Sequence, residues 1–311
     1  MRNTKTMTIV FLMIIALFTA ACGSEPAAES DGKLQVVTTI GQVTDVVRNV
    51  GGELVAVDGL MGAGTDPHLY VASASEVDLL QNADVIFYNG LFLEAQMEEI
   101  LEQIGENKPS IPVSKQIDSA RLLDSEDYED EFDPHIWFDV TLWQETVKQV
   151  RDTLSDVDPD NAATYASNAD AYLAELDQLH TYVLEQVAQI PAEKRVIITA
   201  HDAFRYFGSA YGFEVMGLQG ISTATEASTG DVQALADFIA ENEIPAIFVE
   251  SSVPIRNVEA VQAAVQDRGF NVEIGGELFS DAMGDDGTPE GTYIGMVRHN
   301  IDTIVTALAG E

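Results

Sequence analysis

The stretch Asp158 to Pro191, DPDNAATYASNADAYLAELDQLHTYVLEQVAQIP, decides the architecture. Asp158 offers an N-cap, and Pro159 sits at the first helical position, where a missing N–H does no harm. No helix breaker follows until Pro191. Tyr165, Tyr172, Leu176, Leu179, Val183 and Val187 recur at helical spacing and form one apolar stripe. A helix of about 30 residues spans roughly 45 Å, which is long for an element inside one compact domain. The spacing predicts a backbone helix over residues 158–190 that joins two lobes.

On both sides of this helix the pattern alternates between strand and helix. Before it, Leu34–Thr39, Glu53–Leu60 and Asp84–Tyr88 read as strands. Helices are expected over Val43–Val50, from the capping box Ser73-Ala74-Ser75-Glu76 through Leu80, over Leu91–Ile104 and over Val140–Leu154. After it, Arg195–Thr199, Glu214–Gly217, Ala246–Val249 and Val272–Ile274 read as strands. They alternate with helices over Asp202–Tyr211, Asp231–Glu241, Val258–Asp267 and Gly291–Leu308. This implies an α/β fold of two lobes with mostly parallel sheets, residues 34–157 and 191–311. The cleft between such lobes is the expected ligand site.

Composition narrows the ligand. The chain has 311 residues, ample for a core, and 46% hydrophobic residues argue against disorder. Against 15 Lys and Arg stand 52 Asp and Glu, a net charge of −37. So acidic a chain repels phosphate backbones and anionic membrane surfaces and attracts cations. Nucleic acid is excluded as a partner. The single cysteine, Cys22, rules out an intrachain disulfide, so any metal site must use His, Asp or Glu.

There are five histidines. Two of them close the same tripeptide, Asp66-Pro67-His68 and Asp133-Pro134-His135, which places each at a loop or helix start. His201 follows the strand Arg195–Thr199, with Asp202 placed to cap the next helix, and Asp281 follows the strand Val272–Ile274. The ends of parallel strands are where α/β proteins place ligand residues. Three His and one Asp thus come from four segments, two per lobe. Each taken singly reads equally as a cap or a satisfied core residue; their joint placement points to a metal. His180 and His299 lie inside expected helices and read as ordinary helical residues. Asp139 suits a helix cap. Glu250 ends a strand and either faces the cleft or serves as a structural carboxylate. The acidic run Asp124–Asp133 reads as a solvated loop, with a cation-gathering lip as the alternative.

The start of the chain carries its own signal. Arg2 and Lys5 precede an apolar run, Met7–Ala21, that is too short to span a bilayer and fits a secretory signal peptide over residues 1–21. Thr19-Ala20-Ala21-Cys22 resembles a lipobox, so Cys22 is expected to become the lipidated first residue. Residues 22–33 then form a tether that holds a soluble domain at the outer face of the membrane or in the periplasm.

Longer runs carry a family resemblance. Ile198-Thr199-Ala200-His201-Asp202-Ala203-Phe204, Gly217-Leu218-Gln219-Gly220, Phe248-Val249-Glu250-Ser251-Ser252 and Gly275 through Gly284 resemble the metal-binding lipoproteins of bacterial ABC importers for manganese and zinc, the TroA-like cluster A-I solute-binding proteins. The resemblance covers nearly all of the mature chain. It implies a metal held between two α/β lobes bridged by one rigid helix, with ligands at His68, His135, His201 and Asp281. It also implies an ABC permease and its ATPase as partners, a monomer, one Zn2+ or Mn2+ carried as cargo, and no enzymatic activity. His201 is the zinc-type choice at the third ligand position.

Three imidazoles and a carboxylate suit a borderline divalent ion. The rival from another class is a zinc hydrolase, which would keep an open position for water; four protein ligands close it, and no H-E-x-x-H motif is present. A surface adhesin on the same fold is the third reading.

Overall fold

The structure, a computed structural model, describes residues 32–125 and 127–309. The export signal and Cys22 lie outside the described residues.

The first lobe is built from β1 (Leu34–Thr38), α1 (Gly41–Gly51), β2 (Val55–Gly59), α2 (Ala74–Asn82), β3 (Val85–Tyr88), α3 (Glu98–Gly105), β4 (Ser110–Pro112) and α4 (Val140–Val157). Its sheet has the order β2-β1-β3-β4 with every pairing parallel. The long helix α5 runs Ala162–Val187. The second lobe holds β5 (Val196–His201), α6 (Arg205–Tyr211), β6 (Glu214–Gln219), α7 (Thr229–Glu241), β7 (Ala246–Glu250), α8 (Arg256–Gln266), β8 (Glu273–Leu278) and α9 (Tyr293–Leu308). Strands β5 and β6 pair in parallel, as do β7 and β8, and β5 lies alongside β7. The fold is α/β with parallel sheets and one long helix.

Several boundaries differ from the sequence reading for physical reasons. Pro159–Asn161 forms a 3-10 turn, so α5 has 26 residues and spans about 39 Å. Asp158 does not cap it; its carboxylate accepts hydrogen bonds from the Tyr165 hydroxyl and the Asn161 amide, both at 2.8 Å. The helix expected over Leu91–Ile104 begins only at Glu98. Gly90, Leu91 and Phe92 all take positive φ, a left-handed run that no helix tolerates. The buried carboxylate of Glu94 secures that run by accepting the N–H groups of Asn89 and Gly90 at 2.7 and 3.1 Å. The three-residue strand β4 was too short to read as a periodic pattern.

The stripe on α5 is buried as its spacing predicts, with Ala169 added. The helix packs against α1 and α4 on one side and α6 and α9 on the other. One apolar cluster consequently runs from Val36 and Phe87, through Leu176 and Leu179, to Phe248 and Ile301. Along β5 and β7 successive side chains face opposite ways. Ile197 and Phe248 join this large cluster, while Ile198 and Ile247 join a smaller one with Leu235 of α7 and Val265 of α8. Both faces of β5 and β7 are therefore covered, as central parallel strands require. No helix among the described residues is long and apolar enough to cross a membrane.

Candidate metal centre

Four segments deliver the candidate side chains to one point. His68 lies in the loop after β2, and His135 precedes a 3-10 turn, Ile136–Phe138, that leads into α4. His201 is the last residue of β5 rather than a loop residue, and Asp281 comes three residues after β8. All four are at most 5% exposed, and one ligand atom from each lies within 4.8 Å of every other.

The repeated tripeptide has a mechanical meaning. Asp66 Oδ1 accepts the backbone N–H of His68 at 2.9 Å, and Asp133 Oδ1 accepts that of His135 at 3.0 Å. The intervening proline has no N–H to compete. Each aspartate thereby folds its own histidine inward. Asp133 also contacts His135 Nδ1 at 2.7 Å, so Nδ1 donates and Nε2 faces the cluster with its lone pair. Glu250 does the same for His201: Oε1 accepts its backbone N–H at 2.8 Å, and Oε2 stands 2.5 Å from Nδ1. Glu250 is thus a supporting carboxylate behind a ring.

With the rings neutral, the converging atoms are all acceptors. His135 Nε2 lies 3.4 Å from Asp281 Oδ1, and His201 Nε2 lies 3.3 Å from Asp281 Oδ2. The two ring nitrogens are 3.4 Å apart, and His68 Nε2 is 3.8 Å from Asp281 Oδ2. His68 Nε2 and both Asp281 oxygens are buried without a hydrogen-bond partner. A tetrahedral ion bound at about 2.0–2.1 Å sets its ligands about 3.3–3.4 Å apart. The cluster could hold such an ion with little rearrangement.

Electrostatics separates the three rings. Burial, helped by the other two rings, pushes His68 down to about 3 against the pull of Asp281. Burial also works against charge on His135, but Asp133 and Asp281 outweigh it and raise this ring to about 9. His201 is raised well above the ordinary value for the same reason, by Asp281 and Glu250 against burial. Burial would raise Asp281, yet His201 and His135 hold it well below the usual carboxylate range.

Other expectations resolve individually. Asp139 caps α4, accepting the N–H of Thr141 at 2.8 Å. Asp202 does not cap α6, whose N-cap residue is Phe204. His180 Nδ1 meets the Tyr211 hydroxyl at 3.1 Å and His299 Nε2 the Glu277 carbonyl at 3.0 Å, both outside the cluster. The acidic run is folded in part: Asp133 is fully buried, and Asp127 Oδ2 accepts the N–H of Ser222 in the other lobe at 2.8 Å. Sequence reasoning missed Asp66, Asp133, Gln42 and Thr223 as supports; the aspartate in each copy of the repeated tripeptide was the available signal.

Comparison with known proteins bears on this centre. Over 301 residues the chain is 54% identical to the zinc-binding protein TroA of Treponema pallidum, covering 97% of both chains. Over 302 residues it is 45% identical to the manganese-binding lipoprotein MntA of Bacillus subtilis, covering 96% of this chain and 98% of that one. The solved structure of the periplasmic zinc-binding protein TroA from Treponema pallidum superposes with a TM-score of 0.88, covering 90% of this chain and all of the other. Residues 36–307 match the family of ZnuA, the periplasmic zinc-uptake complex component A. With that match spanning both lobes and the whole cluster, the chain belongs to the zinc-uptake complex component A family.

Proposed function

We propose that this protein captures one divalent transition-metal ion, Zn2+ or Mn2+, with His68, His135, His201 and Asp281, and delivers it to an ABC permease driven by its ATPase. The observation that carries this is the convergence of three buried imidazoles and a buried carboxylate from both lobes on a single point, an arrangement that suits a divalent cation. Relatives named zinc-binding and manganese-binding support the choice between these two ions. We further propose the division into signal 1–21, tether 22–33, lobe 34–157, linking segment 158–190 built around α5, and lobe 191–311. Cys22 is the lipidated residue, holding a monomer on the extracytoplasmic face of the membrane. The description of several relatives as lipoproteins supports the anchor.

The test is elemental analysis of protein purified from its own host, beside native mass spectrometry. One tightly held ion per chain is expected. A chain that stays metal-free in the presence of equimolar Zn2+ or Mn2+, or that turns over hydrolysable esters, would overturn the carrier reading.

A further inference from the structure

Asp281 differs from the two histidines beside it in how it is aimed. His135 and His201 each have a carboxylate behind Nδ1, at 2.7 and 2.5 Å, whereas the side-chain groups nearest the Asp281 oxygens are the candidate ligand rings themselves. Its direction is set through its main chain. Two donors from the opposite lobe hold that main chain. Gln42 Nε2, in the first turn of α1, donates to the Asp281 carbonyl at 3.1 Å and approaches the Ser280 carbonyl at 3.4 Å. Trp137 Nε1 donates to the same Ser280 carbonyl at 3.1 Å. From its own lobe the loop is held by Ser251, whose hydroxyl donates to the Ala282 carbonyl at 2.8 Å, and by the Ser252–Ser280 hydroxyl pair at 3.0 Å.

Gln42 stands out energetically. It is fully buried, and its Oε1 has no partner. A buried orphan acceptor is destabilising, and a methionine of similar shape would avoid it. The amide is under-satisfied at one end and engaged with the Asp281 loop at the other.

We infer that Gln42 is a positioning residue for the metal: it reaches across the cleft to fix the main chain of Asp281, and so sets how that carboxylate meets the ion. This rests on the reading of Asp281 as a ligand. Gln42 couples the placement of α1 to the aim of a carboxylate in the other lobe. Trp137, adjacent to the His135 segment, adds a second tie of the same kind.

The test uses the full-length protein loaded with Co2+, whose visible absorption reports coordination geometry. Gln42→Met should weaken metal binding by about 10- to 100-fold, the scale for losing an outer support. It should also shift the Co2+ spectrum. Gln149→Met is the control. That glutamine is also buried, donates to Thr153 at 3.0 Å and has an unpartnered Oε1, but it lies on α4 away from the cluster. It should leave affinity and spectrum as in the parent. Trp137→Phe removes only the Nε1 donor and should shift the spectrum in the same direction; it decides the question alone if Gln42→Met does not fold. An unaltered affinity and spectrum in Gln42→Met, or equal changes in Gln149→Met, would overturn the inference. Asp281→Ala separates the two levels. If it abolishes binding while Gln42→Met is silent, only the role of Gln42 falls; if it binds normally, the ligand assignment falls and the inference with it.

Discussion

Asp66 Oδ2 accepts the hydroxyl of Thr223, on the opposite lobe, at 2.7 Å, while Oδ1 holds the backbone N–H of His68 at 2.9 Å. One carboxylate thus links the aim of a first-lobe histidine to the position of the second lobe. Burial raises the pKa of Asp66, and the Thr223 hydrogen bond opposes that rise. Thr223→Val should therefore raise it further and lower stability by about 1–2 kcal/mol, the cost of a part-buried acceptor left unpaired. With His68 slackened, metal should transfer to a chelator about 10-fold faster in stopped-flow measurements. A wild-type transfer rate would show that the tie plays no part in retention.

Ligand variants should separate cleanly from other histidine variants. His201→Ala and Asp281→Ala each remove a converging atom and should weaken binding by at least about 100-fold. His180→Ala loses its contact to Tyr211, and His299→Ala its contacts to the Glu277 carbonyl and the Phe279 ring, all outside the cluster. They should bind as the parent does. Titration against a competing chelator reads all four, and equal losses would contradict the assignment.

Metal binding should expel protons. A ring whose folded pKa is raised keeps its proton below that value, and the metal needs the same lone pair. His135, raised to about 9, and His201, raised well above the ordinary value, are the rings expected to give up protons to the metal. His68, at about 3, is already neutral and releases nothing. Affinity should climb as pH rises from 6 toward about 9, the value to which His135 is raised. Calorimetry at pH 7.5 in buffers of different ionisation enthalpy should count at least one proton released. A count of zero would refute the electrostatic picture.

Overall dimensions should hardly change on loading. The large apolar cluster passes without a break from the first sheet through α5 to α9 and β7. Small-angle scattering with and without Zn2+ should give the same radius of gyration within error. Saturating metal should still raise the melting temperature, by about 2.7 kcal/mol of added stability at 100 times Kd. A large compaction would favour a wide hinge instead.

The anchor has a separate test. Cys22→Ala should move the protein from the membrane fraction to the medium or periplasm, and retention in the membrane would exclude lipidation there.

The sequence held much of this design in readable form. The apolar stripe on α5 and the strand–helix alternation depend on local periodicity, which survives without tertiary context. His68 and His135 were visible through their repeated tripeptide. Supports were harder to see, because burial of a single carboxylate is decided by chain folding elsewhere. Asp133 looked like one more acid in a solvated run, yet it is fully enclosed beside Tyr206, whose hydroxyl donates to its carbonyl at 2.9 Å. Gln42 offered no pattern at all, since its partner lies 239 residues away. The left-handed turn at Leu91 and Phe92 defeated a helical reading because its stabilising acid, Glu94, sits inside the same amphipathic pattern.

The unbroken core through α5 also says something about work. Rings and carboxylate are immobilised when the chain folds, so an arriving ion meets a finished cage and capture requires almost no ordering. Unloading runs uphill against that same stiffness. Heat alone would have to strain a continuous interior, not swing a loose flap, which makes the loaded state a kinetic trap.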